Sequence, residues 1–186
     1  MIYLFLADGF EEIEALAPLD ILRRAGLNVT TVGIGGKHIT GSHKIAVEAD
    51  TADTDLKLDD IEMIILPGGM PGTKNLDKSP VVHDAIKKAL DCDAYICAIC
   101  AAPMILGKLG LLKGRNAVCY PGFEDYLTGA TIPLDKDVVT DEKIITARGM
   151  GVAVDFGLLL ASKLCGQEKA NDLASAIIAK QYEQLN

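Results

Sequence analysis

The sequence predicts an α/β fold, a mostly parallel β-sheet with helices on both faces. Two observations predict it. Short, continuously apolar runs alternate along the chain with longer segments whose apolar residues recur at helical spacing. Within the runs, apolar and polar residues do not alternate, so each strand is expected to be buried on both faces, as in parallel sheets. With 186 residues, 49% of them hydrophobic and 24% charged, the chain is expected to form one domain, 1–186, with its own core.

The elements follow in order. Residues 2–6, "IYLFL", read as a buried strand. Residues 11–26 carry Ile13, Leu16, Ala17, Ile21 and Leu22 at helical spacing, and Gly26 supplies the stop signal. Pro18 is expected to kink this helix or to mark its first turn. Residues 27–34 are β-prone, and 35–56 read as a polar antiparallel hairpin at an edge. "EMIILPGG", 62–69, is a strand that ends in a glycine loop. Residues 80–91 form an amphipathic helix, with Ser79 as N-cap and Pro80 at its first position. Residues 94–100 are a strand, "APMILGKLGLL" a helix and "NAVCY", 116–120, a strand. Residues 137–148 read as a hairpin turning at Asp141-Glu142, and two helices follow, the second over 167–185.

Lys plus Arg number 18 against 26 for Asp plus Glu, a formal net charge of −8. An acidic chain with no basic run does not suit a nucleic-acid partner. Asp8 comes early and no basic stretch precedes it, so no signal peptide is expected. The longest apolar run near the C-terminus, "FGLLLAS", is too short to cross a bilayer. A cytoplasmic protein without membrane contact is expected. Its five cysteines, an odd count, are expected to be free thiols.

In open α/β sheets, ligands bind beyond the carboxyl ends of the strands, which singles out the loops after residues 6, 66, 99 and 147. None of these loops matches a dinucleotide or phosphate-loop fingerprint. The glycines of "PGGMPGTK" instead let backbone N–H groups approach a ligand, and two such groups make an oxyanion hole. Cys100 ends an apolar strand and precedes a helix, the setting of a nucleophile elbow. A helix start beneath the sulfur and the following N–H, from Ala101, would favour the thiolate. A buried core cysteine is the plainer alternative. Cys97 lies inside the strand and is expected to face the core, so Cys97-Ala-Ile-Cys100 reads neither as a redox pair nor as half a zinc site.

A cysteine nucleophile usually has a histidine base. His38, His43 and His83 all precede Cys100, and none adjoins it. The acids Glu11, Glu12 and Glu14 lie in the first strand-to-helix loop, beside the elbow if the first strand is central. A protonated carboxyl there would hydrogen-bond the thiolate and move a proton, whereas an ionised one would raise the thiol pKa. The role therefore demands a carboxyl with a raised pKa.

Taken in order, "LADGFEEIEALAPLDILRRAG", "ILPGG", "AICAAP" and "TARGMG" resemble the ThiJ/PfpI superfamily, in the branch of the parkinsonism-associated protein. The resemblance covers nearly the whole chain. It implies a flavodoxin-like three-layer sandwich with a nucleophile elbow, similar to class I glutamine amidotransferases, and a homodimer. By the same resemblance the reactive cysteine is Cys100 and its acid partner is Glu14. Gly69 and Ala101 supply the oxyanion hole, and Tyr120, Arg148 and Gly149 lie near the pocket or the dimer contact. Departures from the family pattern are Ala101 and Ala102 after the cysteine, and Tyr120 where many relatives carry a histidine. The implied activity is glutathione-independent glyoxalase or deglycase chemistry on small 2-oxoaldehydes or their early adducts, with no cofactor and no metal. The alternative is a redox sensor or holdase that uses the same cysteine without turnover.

Overall fold

The structure, a computed structural model, describes residues 1–179. Strand β1 (Ile2–Leu6) leads into helix α1 (Glu12–Arg24), and β2 (Val29–Gly33) follows. The hairpin β3 (His38–Thr40) and β4 (Ala46–Glu48) forms a small antiparallel sheet of its own. Then come β5 (Thr51–Ala52), β6 (Met63–Leu66), α2 (Gly72–Lys78), α3 (Pro80–Asp91), β7 (Tyr95–Ile99) and α4 (Pro103–Lys108). The chain closes its sheet with β8 (Val138–Asp141) and β9 (Ile144–Ala147), before α5 (Ala153–Cys165) and α6 (Gln167–Ala176).

Among the described residues the main sheet has seven strands in the order β5-β2-β1-β6-β7-β9-β8. Every neighbouring pair is parallel except β8 with β9. The five central strands run second, first, third, fourth, fifth in sequence, which is the flavodoxin-like order. Side chains alternate across this sheet. Ile2, Leu4 and Leu6 pack with Leu22 of α1 and Phe156 of α5 on one face. Tyr3 and Phe5 pack with Val82 and Ile86 of α3 on the other. Both directions are apolar, which is why the strand sequences read as unbroken hydrophobic runs. Each such side chain contributes about 2 kcal/mol on burial.

Several expectations are corrected. Residues 117–119 are buried but form no strand: 116 makes only an isolated bridge to Thr131. The outer edge of β7 is already occupied by β9, so this segment binds across the loops, with Val118 N–H donating to Thr146 Oγ1 at 2.9 Å. Helix α4 stops at Lys108, short of the expected Leu112, as Gly110 turns the chain at φ +74°. Helix α2 is not assigned by the sequence reading, which takes residues 67–74 as a glycine-rich loop and names no element between 70 and 79. The last hairpin turns one residue later than expected, at Glu142-Lys143, with Glu142 at φ +52°. Ser79 holds the N-cap position of α3, but its side chain makes no capping bond. Pro18 lies in the second turn of α1, and the helix continues through it to Arg24. The end of the helix expected over 167–185 lies outside the described residues.

Helices α1 and α5 cross closely because α5 offers Gly157. A Cβ there would stand 2.9 Å from Pro18 Cα and 2.9 Å from Ile21 Cδ1. Gly157→Ala gains about 1 kcal/mol of helix propensity but forces a backbone contact apart, which costs more. The expected net is a loss of about 1–2 kcal/mol, read as a lower midpoint in urea unfolding; an unchanged or higher midpoint would refute this packing.

Candidate active site

Four loops meet beyond the carboxyl ends of β1, β6, β7 and β9. The first supplies Glu14. Glu11 caps α1, its carboxylate accepting the N–H of Glu14 at 2.7 Å, and its own N–H donates to Gly68 O at 2.9 Å. This exchange ties the α1 start to the glycine loop after β6. Glu14 is then carried inward on the first turn and is only 1% exposed.

The glycine loop supplies two amides. Gly68 N–H donates to Glu14 Oε2 at 3.0 Å. A Cβ on Gly68 would lie 2.5 Å from that oxygen and 2.7 Å from Cys100 Cβ, so no side chain fits there. Gly69 has φ +88°, and a Cβ on it would strike Glu11 N at 2.3 Å. Its N–H, with that of Ala101, is directed at the Cys100 sulfur.

Cys100 sits between β7 and α4 with φ +64°, the left-handed region. That conformation costs a non-glycine residue on the order of 1–3 kcal/mol. It is the nucleophile elbow expected from sequence. Its flanks are fixed: Cys100 N–H donates to Ala147 O at 2.9 Å, and its carbonyl accepts Tyr120 N–H at 2.8 Å. The thiol is partly exposed and hydrogen-bonds the Glu14 carboxyl. Burial, reinforced by the Glu14 charge and hydrogen bond, pushes the thiol up to about 12; the Gly69 and Ala101 amides pull the other way. Burial also raises Glu14 to about 7, assisted by the nearby Glu11 charge and opposed by the Cys100, Gly68 and Met150 hydrogen bonds. The two groups titrate as a pair that sheds one proton near neutral pH and keeps the other. The raised carboxyl pKa that the proton-donor role demands is present. The thiolate is not favoured by its surroundings as a whole, since burial outweighs the two amides.

Of the other expected residues, Gly149 and Tyr120 adjoin this group. A Cβ on Gly149 would lie 3.2 Å from the Tyr120 ring and 3.9 Å from Glu14 Oε1. Tyr120 is half exposed at the mouth. Arg148 turns elsewhere: its N–H donates to Asp137 O, and its guanidinium reaches Leu134 O at 3.4 Å. Its charge is felt at Cys119, which burial raises to about 11. Cys97 is fully buried among the residues beneath α1 and α5, as expected.

Three features escaped the sequence reading. Gly68, singled out with Gly69 as a candidate backbone donor, gives its N–H to Glu14, a partner that the sequence does not indicate. The Met150 amide, which lowers the Glu14 pKa, is also missed, since no residue type signals a backbone donor. His43 is the third. It lies over buried Glu12, Nδ1 to Oε2 2.9 Å, while His43 N–H donates to Oε1 at 2.7 Å. Glu11, Glu12 and His43 bring ligand atoms within 4.8 Å of one another, but the Glu12 oxygens are engaged by these bonds and by Ser42. No helix among the described residues is long and apolar enough to cross a membrane.

The chain is similar to known proteins over most of its length. The chain is 35% identical to protein dj-1beta of Drosophila melanogaster, over 93% of this chain and 94% of that one. The crystal structure of Drosophila melanogaster DJ-1beta matches with a TM-score of 0.91 at 34% identity, over 95% of this chain and 96% of that one. Identity is also 34% with the glutathione-independent glyoxalase DJR-1.2 of Caenorhabditis elegans, over 88% of this chain and 87% of that protein. Protein DJ-1 homolog B of Arabidopsis thaliana, 34% identical over 94% of this chain, is longer, and the match spans 40% of it. The family model described as DJ-1/PfpI matches residues 1–163. In sequence along most of its length, and in fold, the chain belongs to the DJ-1/PfpI family.

Proposed function

We propose that this chain is a cytoplasmic, homodimeric cysteine enzyme that converts small 2-oxoaldehydes to 2-hydroxy acids without glutathione, and that acts likewise on their early glycation adducts. The observation that carries the reading is the buried Glu14 carboxyl, which burial raises to about 7, set against the Cys100 thiol beside the amides of Gly69 and Ala101. The name of the worm relative, a glutathione-independent glyoxalase, supports the reaction class.

With methylglyoxal the steps balance as follows. The Cys100 sulfur, its proton passed to Glu14, attacks the aldehyde carbon. The resulting alkoxide is met by the Gly69 and Ala101 amides, freed from the sulfur as its charge is spent. Glu14 gives its proton to that oxygen and leaves a hemithioacetal. The Glu14 carboxylate then takes the C1 hydrogen as a proton and leaves an enediolate with its charge on the C2 oxygen. The proton on the C1 oxygen moves to the C2 oxygen, Glu14 returns its proton to C2, and water hydrolyses the resulting lactoyl thioester to lactate and the free thiol. Burial suits Glu14 to this exchange, because its pKa lies near the working pH. In an adduct, the same attack on a carbinolamine carbon expels the amine.

A second reading is oxidation of Cys100 to a sulfinate without turnover. It is favoured by the partly exposed sulfur lying between two N–H donors and a protonated carboxyl, all suited to sulfinate oxygens. Lactate production from methylglyoxal separates the two. Wild type is expected to form lactate without glutathione, and Cys100→Ala none. Glu14→Gln is expected to lower kcat by about 10²–10⁴-fold. No lactate from wild type would overturn the enzyme reading.

The pH dependence has a defined sign. Below about 7 both groups of the pair are protonated; above it one proton remains, to be held by oxygen or sulfur. Alkylation of Cys100 by iodoacetamide is therefore expected to rise with pH through a step near 7. Glu14→Gln removes that step and leaves the single titration of the thiol. A wild-type profile without the step would contradict the shared proton.

A further inference from the structure

Tyr120 is fixed beside the elbow by its backbone. Its N–H donates to Cys100 O at 2.8 Å, and its carbonyl accepts Phe123 N–H at 3.1 Å, which closes a four-residue turn. Pro121 and Gly122, the latter at φ +95°, fill the two central positions that favour proline and a left-handed glycine. Pro121 also confines the backbone of the residue before it, Tyr120. Gly122 N–H donates to Glu124 Oε2 at 2.6 Å and holds the turn further.

From this anchor the side chain leans toward the turn after β9. Ring atoms Cδ2 and Cε2 lie 3.2 and 3.7 Å from where a Gly149 Cβ would stand, and Glu14 Oε1 lies 3.9 Å from the same point. The ring and the carboxyl therefore flank one glycine. Gly149 is extended, φ 166°, a conformation open to any residue, so the closeness of the ring is what leaves no room for a side chain there. Tyr120 is 51% exposed and stands between the site and solvent.

We propose that the Tyr120 ring is a size-selecting wall of the Cys100 site, which admits a compact three-carbon 2-oxoaldehyde to the sulfur and obstructs one that carries an aryl group. The inference rests on the reading of Cys100 as the nucleophile for 2-oxoaldehydes. At Gly68 the site is bounded by backbone too close to Glu14 and Cys100 for any Cβ. On the exposed side the boundary is a side chain, and its bulk sets the width of approach. Because main-chain bonds already fix it, the wall needs no ordering when a substrate enters.

The test compares two thiol reagents of unequal bulk, iodoacetamide and N-phenylmaleimide, on wild type, Tyr120→Ala and Tyr120→Phe. Modification of the Cys100 peptide is followed by mass spectrometry, which separates it from the exposed Cys92. Both reagents need the same thiolate, so the ratio of their rates cancels any change in its population. The Tyr120 N–H is present in every variant, so the bond to the elbow is kept. Tyr120→Ala is expected to raise the N-phenylmaleimide to iodoacetamide ratio by about 10-fold, and Tyr120→Phe to leave it as in wild type. An unchanged ratio in Tyr120→Ala would overturn the proposal, and so would an equal rise in Tyr120→Phe, which would assign the effect to the hydroxyl. In turnover, kcat/KM for phenylglyoxal relative to methylglyoxal is expected to rise with the same variant. A shifted alkylation ratio without lactate from wild type keeps the wall and removes the enzyme reading. Lactate with an unshifted ratio keeps the enzyme reading and removes the wall.

Discussion

The site depends on the contact between the buried Glu14 carboxyl and the Cys100 thiol. Neither group reaches the other through neighbouring sequence: 86 positions separate them, and the sheet order brings β1, β6 and β7 side by side with their carboxyl ends together. Burial is what makes the pair unusual. Glu14 keeps its proton to about 7 because an ionised carboxylate at 1% exposure lacks water. Such a group opposes folding as it ionises. The folded state holds a proton that the unfolded chain releases near 4.5, so the associated stability is present at low pH and is lost as pH rises through about 7. The fold carries that cost on its two packed faces.

Glycines and a strained cysteine are the geometric consequences. The sulfur, the carboxyl and two loops converge closely enough that a Cβ at 68 would overlap Glu14 and Cys100 together. The left-handed backbone at Cys100 is held on both sides, by Ala147 and by the amide of Tyr120. The segment 117–120 is not a strand, yet it ends by locking the elbow. Tyr120 thus serves the site through its main chain as well as through the ring placed against Gly149.

The parallel sheet and most of its helices were legible because two buried faces write themselves as unbroken apolar runs. The elbow was legible because Cys100 interrupts such a run just before a proline-led helix. Where packing offered no period, the reading failed. Helix α2, with Lys74, Asn75 and Asp77 among its seven residues, has no stripe to detect. "NAVCY" has a strand's composition but no vacant sheet edge to join, and edge occupancy is a property of the whole topology. Arg148 stands next to a pocket glycine but directs its side chain to the 134–137 loop, a choice set by tertiary acceptors. The amides of Gly68 and Met150 are invisible in any residue pattern, since every residue but proline carries one.

The two glutamates of "EEIE" that lie buried show how partners rather than position decide a charge. Glu12 and Glu14 are separated by one residue on the same helical turn, and each is nearly inaccessible. Burial raises both. At Glu12 the His43 hydrogen bond and a group of backbone amides outweigh it, and the carboxyl ends below its ordinary value. It is an ionised anchor for the 42–45 loop, and it raises the pKa of His43 in return. At Glu14 two amides and a thiol are too few to offset burial and the charge of Glu11, and the carboxyl ends above. A fully satisfied carboxylate makes a good tether and a poor acid. The under-satisfied one is free to exchange its proton, and it is the one the fold sets against the sulfur.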